Sequence, residues 1–290
     1  MERARGLRHH RHGVGVMNDR VCLTVADGIA EVKLNRADRL NALDPQMFEA
    51  IADTLARIAK DSSVRVVVMS GEGDAFCAGL DVERMAASAG GENILPFPDL
   101  TRRTHGIANF VQHIVWAWRD LPVPVIAAVH GVALGGGFQL ALGADLRYVA
   151  PGTRLGLIET RWGLVPDMAG MQLMRGLVRD DVARELVYTA RILSAEEALA
   201  SGLATRLAAD PRAAAREVAR EIAARSPDAV RAAKRLLNLA MPNGAEAVLT
   251  AETEEQRRLL ASANHAEAVR AGFEKRAPVF IDPPHIAFTA

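Results

Sequence analysis

VPVIAAVHGVALGGGFQ, from Val123 to Gln139, is the stretch in which the chain commits to a fold. Val125–Val129 is apolar without alternation, the pattern of a strand covered on both faces. Three glycines follow, where a helix should start. The first N–H groups of a helix have no partner within it, and the positive end of the helix dipole lies behind them. Glycine lets a ligand approach such groups closely, and it equally lets a helix pack tightly on a sheet. For the run alone both readings stand. No Gly-Lys-Ser/Thr follows, and the spacing does not match GxGxxG, so neither nucleotide-phosphate loop fits.

Upstream, Val64–Met69 is a second β-branched run and leads into the loop Phe76-Cys77-Ala78-Gly79-Leu80-Asp81. Both glycine loops thus follow strands, at the carboxyl ends where open α/β sheets bind ligands. Before them, VCLTV and IAEVKLN flank Asp27-Gly28 and read as a hairpin. Asp44-Pro45 opens a helix through Lys60, with Asp44 as N-cap and Pro45 at the first helical position. Leu95–Pro98 reads as exposed connection, a helix is expected from about Thr101 to Arg119, and Leu146–Val149 is a third strand. Strands separated by helices imply crossovers and a largely parallel sheet, an α/β architecture. Beyond Gly176 the pattern is almost wholly helical: Asp180–Ala190, Ser194–Ser201, Pro211–Ala224, Pro227–Leu239 and Gly244–Ala277, with a break near Ala263-Asn264.

Composition excludes several functions. The 290 residues are 50 % hydrophobic and 24 % charged, and 35 basic residues balance 35 acidic ones. Such a chain has no long-range field for nucleic acid or an anionic membrane. The most apolar stretch, Leu121–Val129, is interrupted by prolines and is far too short to span a bilayer. Cys22 and Cys77 form no disulfide framework, which fits a reducing cytoplasm. His105, His113, His130 and His265 have no metal-ligand spacing, so no metal or cofactor is expected. A serine peptidase is disfavoured because no Ser/His/Asp set is evident. Residues 1–16, rich in Arg and His, are expected to be a disordered extension. Residues 17–205 are expected to form the α/β core and 206–290 a helical C-terminal region.

NRADRLNALDPQMFEAI, FCAGLDV, HGVALGGG, GLIETRWGLVPDMAGMQLMRGL, LSAEEALASGLATRL and GFEKRAPVF together resemble, in order, the crotonase (enoyl-CoA hydratase/isomerase) superfamily. The resemblance runs from about Val21 to Ile281. It implies a ββα-repeat core, a helical C-terminal region that builds a homotrimer or dimer of trimers, and coenzyme A thioester substrates. It further implies that the N–H groups of Leu80 and Gly136 form an oxyanion hole, which stabilises charge developing on a thioester oxygen.

Glu159 then matches the family's acid/base glutamate. Its flanks Leu155, Leu157, Ile158 and Trp162 suggest partial burial, which would raise its pKa. Gln139 departs from the hydratase pattern, because it stands where hydratases carry a second glutamate and an amide transfers no proton at neutral pH. Double-bond isomerisation survives that change more readily than hydration. Asp167 matches the spacing of the acid pair in dienoyl-CoA isomerases, but it is also a natural N-cap for MAGMQLM. Substrate contacts carried over are the carbonyl of Ala78 and the cations Arg39, Arg84 and Lys275, the last at a subunit boundary. Trp116, Trp118 and Phe138 are candidate pocket walls or core. Thioester hydrolysis, decarboxylation and simple acyl-CoA binding remain open alternatives.

Overall fold

The computed structural model describes residues 16–17, 20–81, 99–240 and 245–283. The expectations for residues 1–15, for Leu95–Pro98 and for Arg84 fall outside them. The strands are β1 (Val16–Met17), β2 (Val21–Ala26), β3 (Ile29–Leu34), β4 (Val66–Gly71), β5 (Val125–Val129), β6 (Val132–Leu134), β7 (Leu146–Val149), β8 (Arg154–Gly156) and β9 (Arg206–Leu207). One sheet has the order β1-β2-β3-β4-β5-β7-β9, and β6 pairs with β8 in a second. The β2–β3 hairpin is antiparallel, and every pairing from β3 onward is parallel. Asp27 and Gly28 both take positive φ at its turn, the geometry that two-residue hairpins favour.

The buried strands carry apolar residues on both faces, and the alternation of side chains along a strand sends them into two cores. Val67, Met69, Val125, Ala127 and Val129 join the larger core. Helix α1 (Pro45–Lys60) contributes Phe48, Ile51 and Leu55 to it. Asp44 caps this helix as read from sequence, its Oδ1 accepting the Met47 N–H at 2.8 Å. Val66, Val68, Ile126, Ala128 and Tyr148 point the other way, against Ala215, Ala219 and Ala223.

Helix α2 covers only Phe110–Asp120, so the expected start at Thr101 is corrected. Asn109 and Gln112 form a reciprocal capping box, with bonds of 2.9 and 3.1 Å. Just before it, His105 and Ala108 exchange backbone hydrogen bonds around Gly106, whose φ is +57°. A sharp turn there excludes helix. Trp118 is buried in the larger core.

The remaining helices are α3 (Gly136–Gly143), α4 (Gly170–Leu173), α5 (Asp180–Thr189), α6 (Ala195–Ala200), α7 (Pro211–Ala223), α8 (Pro227–Ala240), α9 (Ala245–Leu260) and α10 (Ala263–Glu274). The α/β class and the helical C-terminal region are therefore as the sequence indicates. Helix α7 presents its alanines to the second face of the sheet at intervals of four residues. Helix α8 is fastened by Lys234, whose buried ammonium donates to the carbonyls of Trp118 (3.1 Å) and Val123 (2.8 Å) and to Asp145 Oδ2 (2.8 Å). No described helix is long and apolar enough to cross a membrane.

Removing one partner of a buried ion pair leaves the other uncompensated. Lys234→Met should therefore lower unfolding stability by about 3 kcal/mol, read as a shifted denaturant midpoint. A midpoint within error of the wild type would show that Lys234 does not fasten α8.

Candidate active site

The two glycine loops meet because the chain after β4 is held on both sides. On one side Leu43 N–H donates to Gly79 O (2.7 Å), Asp81 N–H to Leu43 O (3.1 Å) and Ala78 N–H to Leu40 O (2.9 Å). On the other, Cys77 N–H donates to Val132 O (3.0 Å) and Leu134 N–H to Cys77 O (3.1 Å). Residues 77–81 thus lie as a strap between residues 40–43 and β6. The approach is so close that a Cβ at Gly137 would collide with Cys77 O. Tight packing therefore accounts for that glycine. Gly136 instead lines a cavity of about 360 Å³ together with Gly79 and Leu80. Among the described residues, the N–H groups of Leu80 and Gly136 have no hydrogen-bond partner.

Buried side chains fix the strap from beneath. Asn41, fully buried, accepts from Arg36 N–H (2.8 Å) and donates to the carbonyls of Glu72 (2.9 Å) and Ala75 (2.8 Å). Arg36 Nη1 donates to Asp81 Oδ2 at 2.6 Å, next to Leu80. The Cys77 thiol donates to Asn41 O (3.1 Å), and burial pushes its pKa up to about 12.

Glu159 opens a short 3-10 turn, Glu159–Trp162, and lines the cavity while only 9 % exposed. Its Oε1 accepts from Gln139 Nε2 at 2.6 Å, and its buried Oε2 has no partner among the described residues. Burial raises its pKa, its own backbone N–H and the Gln139 hydrogen bond oppose the rise, and the Asp167 carboxylate adds a smaller upward push. Gln139 is 1 % exposed, and its Oε1 accepts from Met168 N–H (2.9 Å) and Gly170 N–H (3.0 Å).

Asp167, an exposed residue, also lines the cavity, and desolvation raises its pKa. It is not the N-cap that the sequence suggested. Ala169 holds the cap position of α4 in a left-handed conformation, and no side chain caps that helix. The 166–170 segment turns sharply at Ala169, which leaves Asp167 beside the cavity.

The cavity walls are otherwise apolar. Phe48 reaches it from α1, and Trp162, Leu164 and Val165 form its rim; Trp162 is 53 % exposed. Trp116, Trp118 and Phe138 do not line it, and Trp118 and Phe138 are core. The rim was missed in sequence although a signal was present, since WGLV is an apolar run without helical or strand period between two acids. Ala78 lines the cavity. Arg39 is exposed in the turn that leads to Leu40. Lys275 is exposed at the C-cap of α10 and lines no described cavity of the single chain. Among the described residues no three His, Cys, Asp or Glu side chains cluster in a way that could hold a metal ion.

The model of the family "Enoyl-CoA hydratase/isomerase" matches residues 24–283. The chain belongs to this family. It is 32 % identical to 1,2-epoxyphenylacetyl-CoA isomerase of Escherichia coli over 258 residues, covering 88 % of this chain and 96 % of that protein. The crystal structure of an enoyl-CoA hydratase from Bacillus anthracis superposes with a TM-score of 0.82 at 30 % identity, covering 91 % of this chain and all of the other. One from Polaromonas sp. JS666 gives 0.80 at 28 % identity, covering 90 % and 99 %. The crotonase-type α/β architecture read from the sequence is thus confirmed.

A carboxyl group whose folded-state pKa is raised keeps a proton that the unfolded chain already gives up. The cost to the fold is absent below the ordinary carboxylate range, grows as pH rises from the ordinary to the raised value, and is constant above it. Glu159→Gln should therefore unfold near the wild-type temperature at about pH 4 and above it at about pH 8. Thermal scans at both pH values check this. A difference that narrows as pH rises would contradict the sign.

Proposed function

We propose that this member of the family shifts a double bond in an enoyl-CoA thioester, with Glu159 as principal acid/base and Asp167 as second carboxylate. The observation that carries the reading is the composition of one cavity. It is lined by two residues, Leu80 and Gly136, whose N–H groups have no partner among the described residues, and by two carboxyl groups of raised pKa, and an amide stands where a hydratase would hold its second acid.

The chemistry follows from charge. Loss of a proton next to a thioester carbonyl puts negative charge on the carbonyl oxygen, and the N–H groups of Leu80 and Gly136 offer fixed donors for it. With a β,γ double bond the charge spreads to the γ carbon, and a proton returned there moves the double bond into conjugation. Glu159 Oε2, free of hydrogen bonds, takes the first proton; Glu159 or Asp167 returns one at the γ carbon. A carboxyl group with raised pKa suits both directions of transfer at neutral pH. No electron is exchanged, so the step needs no redox cofactor. Syn hydration uses two carboxylates around one water, and Gln139 offers none.

The coenzyme A moiety is assigned to the outer end of the cavity. There Ala78 O would meet the adenine and Arg39 the phosphates, with Arg84 as a further cation. Lys275 is absent from the cavity lining of the single chain, and we assign it to the nucleotide site of a neighbouring subunit, which is our ground for proposing a homotrimer or a dimer of trimers. Exposed Phe273 and Leu237 on α10 and α8 are apolar surface that such an assembly would cover.

Glu159→Gln should lower turnover of a 3-enoyl-CoA by roughly 10² to 10⁴ with CoA-ester affinity nearly unchanged, because the loss falls on proton transfer alone. Stopped-flow absorbance with a binding titration separates the two. Retained turnover would remove Glu159 from the mechanism. Light scattering at micromolar protein should give the mass of three or six chains, and a fully active monomer would end the trimer proposal.

A further inference from the structure

Gln139 has an arrangement that its loss of acidity does not explain. Its carbonyl oxygen accepts two backbone N–H groups, Met168 and Gly170, from the segment that carries Asp167. That fixes which end of the amide faces inward. The remaining end, Nε2, therefore donates to Oε1 of Glu159, twenty residues further along the chain, at 2.6 Å. The fit is close on the third side too, since a Cβ at Gly170 would lie 2.7 Å from Gln139 Oε1. Helix α3, on which Gln139 sits, has every residue buried, so the amide is carried by a rigid base.

We propose that Gln139 is a positioning residue that ties Glu159 and the Asp167 segment into one unit and commits Oε2 of Glu159 to be the oxygen that moves the proton. With Oε1 bonded to the amide, rotation of the carboxyl group would break a buried hydrogen bond, and Oε2 is the oxygen left without a partner. A glutamate at position 139 would change the character of the unit. One of its oxygens would keep the two backbone donors, while the other would meet Oε1 of Glu159 as a second acceptor, and the pair could close only by sharing a proton. The amide is thus the side chain that holds both acids in place and leaves Glu159 able to ionise. Asp167 is the only titratable group among the described residues whose charge acts on Glu159 in this arrangement.

This inference rests on the proposed role of Glu159 for its meaning, but its test needs no turnover. The unliganded protein is labelled with ¹³C at glutamate carboxyl carbons, and Glu159→Gln identifies the Glu159 resonance. Gln139→Met keeps volume and loses every hydrogen bond. In that variant Glu159 should titrate at higher pH than in the wild type, since a bond that favours the charged form is gone. Amide exchange in peptides covering Met168 and Gly170 should quicken about tenfold, the scale of one lost hydrogen bond. Gln139→Glu, which keeps the acceptor for those amides, should leave their exchange slow and still raise the Glu159 titration. If Gln139→Met does not fold, the Gln139→Glu titration decides alone. An unmoved Glu159 titration in a folded variant overturns the proposal, as does unchanged exchange at residues 168–170 in Gln139→Met. Should Glu159→Gln keep full activity while both shifts occur, the strut stands and the catalytic assignment of Glu159 falls.

Discussion

Everything at the cavity depends on the seating of residues 77–81 between the 40–43 segment and β6. A single strand edge would leave Leu80 free to rotate its peptide. Bonded through Ala78, Gly79 and Asp81 on one side and Cys77 on the other, the strap holds Leu80 at the cavity lining beside Gly136, its N–H without a partner among the described residues. The cost of such closeness is a row of positions that accept no side chain, and Gly137 against Cys77 O is the tightest of those within α3. Preorganised donors of this kind act without reorganising when charge appears, which is the source of their strength.

A second layer sets the protonation chemistry. The strap is pinned by polar groups that are fully satisfied, Asn41 and the Arg36–Asp81 pair, so it is stiff without being charged toward the cavity. Glu159 is treated differently, with one oxygen satisfied and the other left bare. Desolvation then holds its pKa above the ordinary range, and Asp167 pushes in the same direction. The fold therefore places its satisfied polar contacts under the strap and leaves one buried oxygen of Glu159 without a partner among the described residues, the oxygen to which we assign the proton transfer.

Much of this was legible in the residues because the signals are local. Asp27-Gly28, the Asp44-Pro45 start of α1 and the β-branched runs each fix the backbone within a few positions. The ordered glycine loops carried the family and, through it, the candidate donors. What local reading could not reach was set by segments far apart in sequence. The start of α2 is the exception, because its signals, the Asn109/Gln112 capping box and the His105–Ala108 turn, lie within eight neighbouring residues. The cap reading of Asp167 failed because Gln139, twenty-eight residues upstream, grips the backbone at 168 and 170 and helps shape that loop.

Cys77 sits inside the strap, three residues before the Leu80 donor, and its thiol is both buried and bonded to Asn41 O. Peroxides and alkylating agents attack the thiolate, and a sulfur held protonated to about pH 12 offers almost none at physiological pH. The half-buried Cys22, in β2, lies outside the cavity lining. The strap therefore keeps its covalent identity when the chain meets oxidants or thiol-directed reagents.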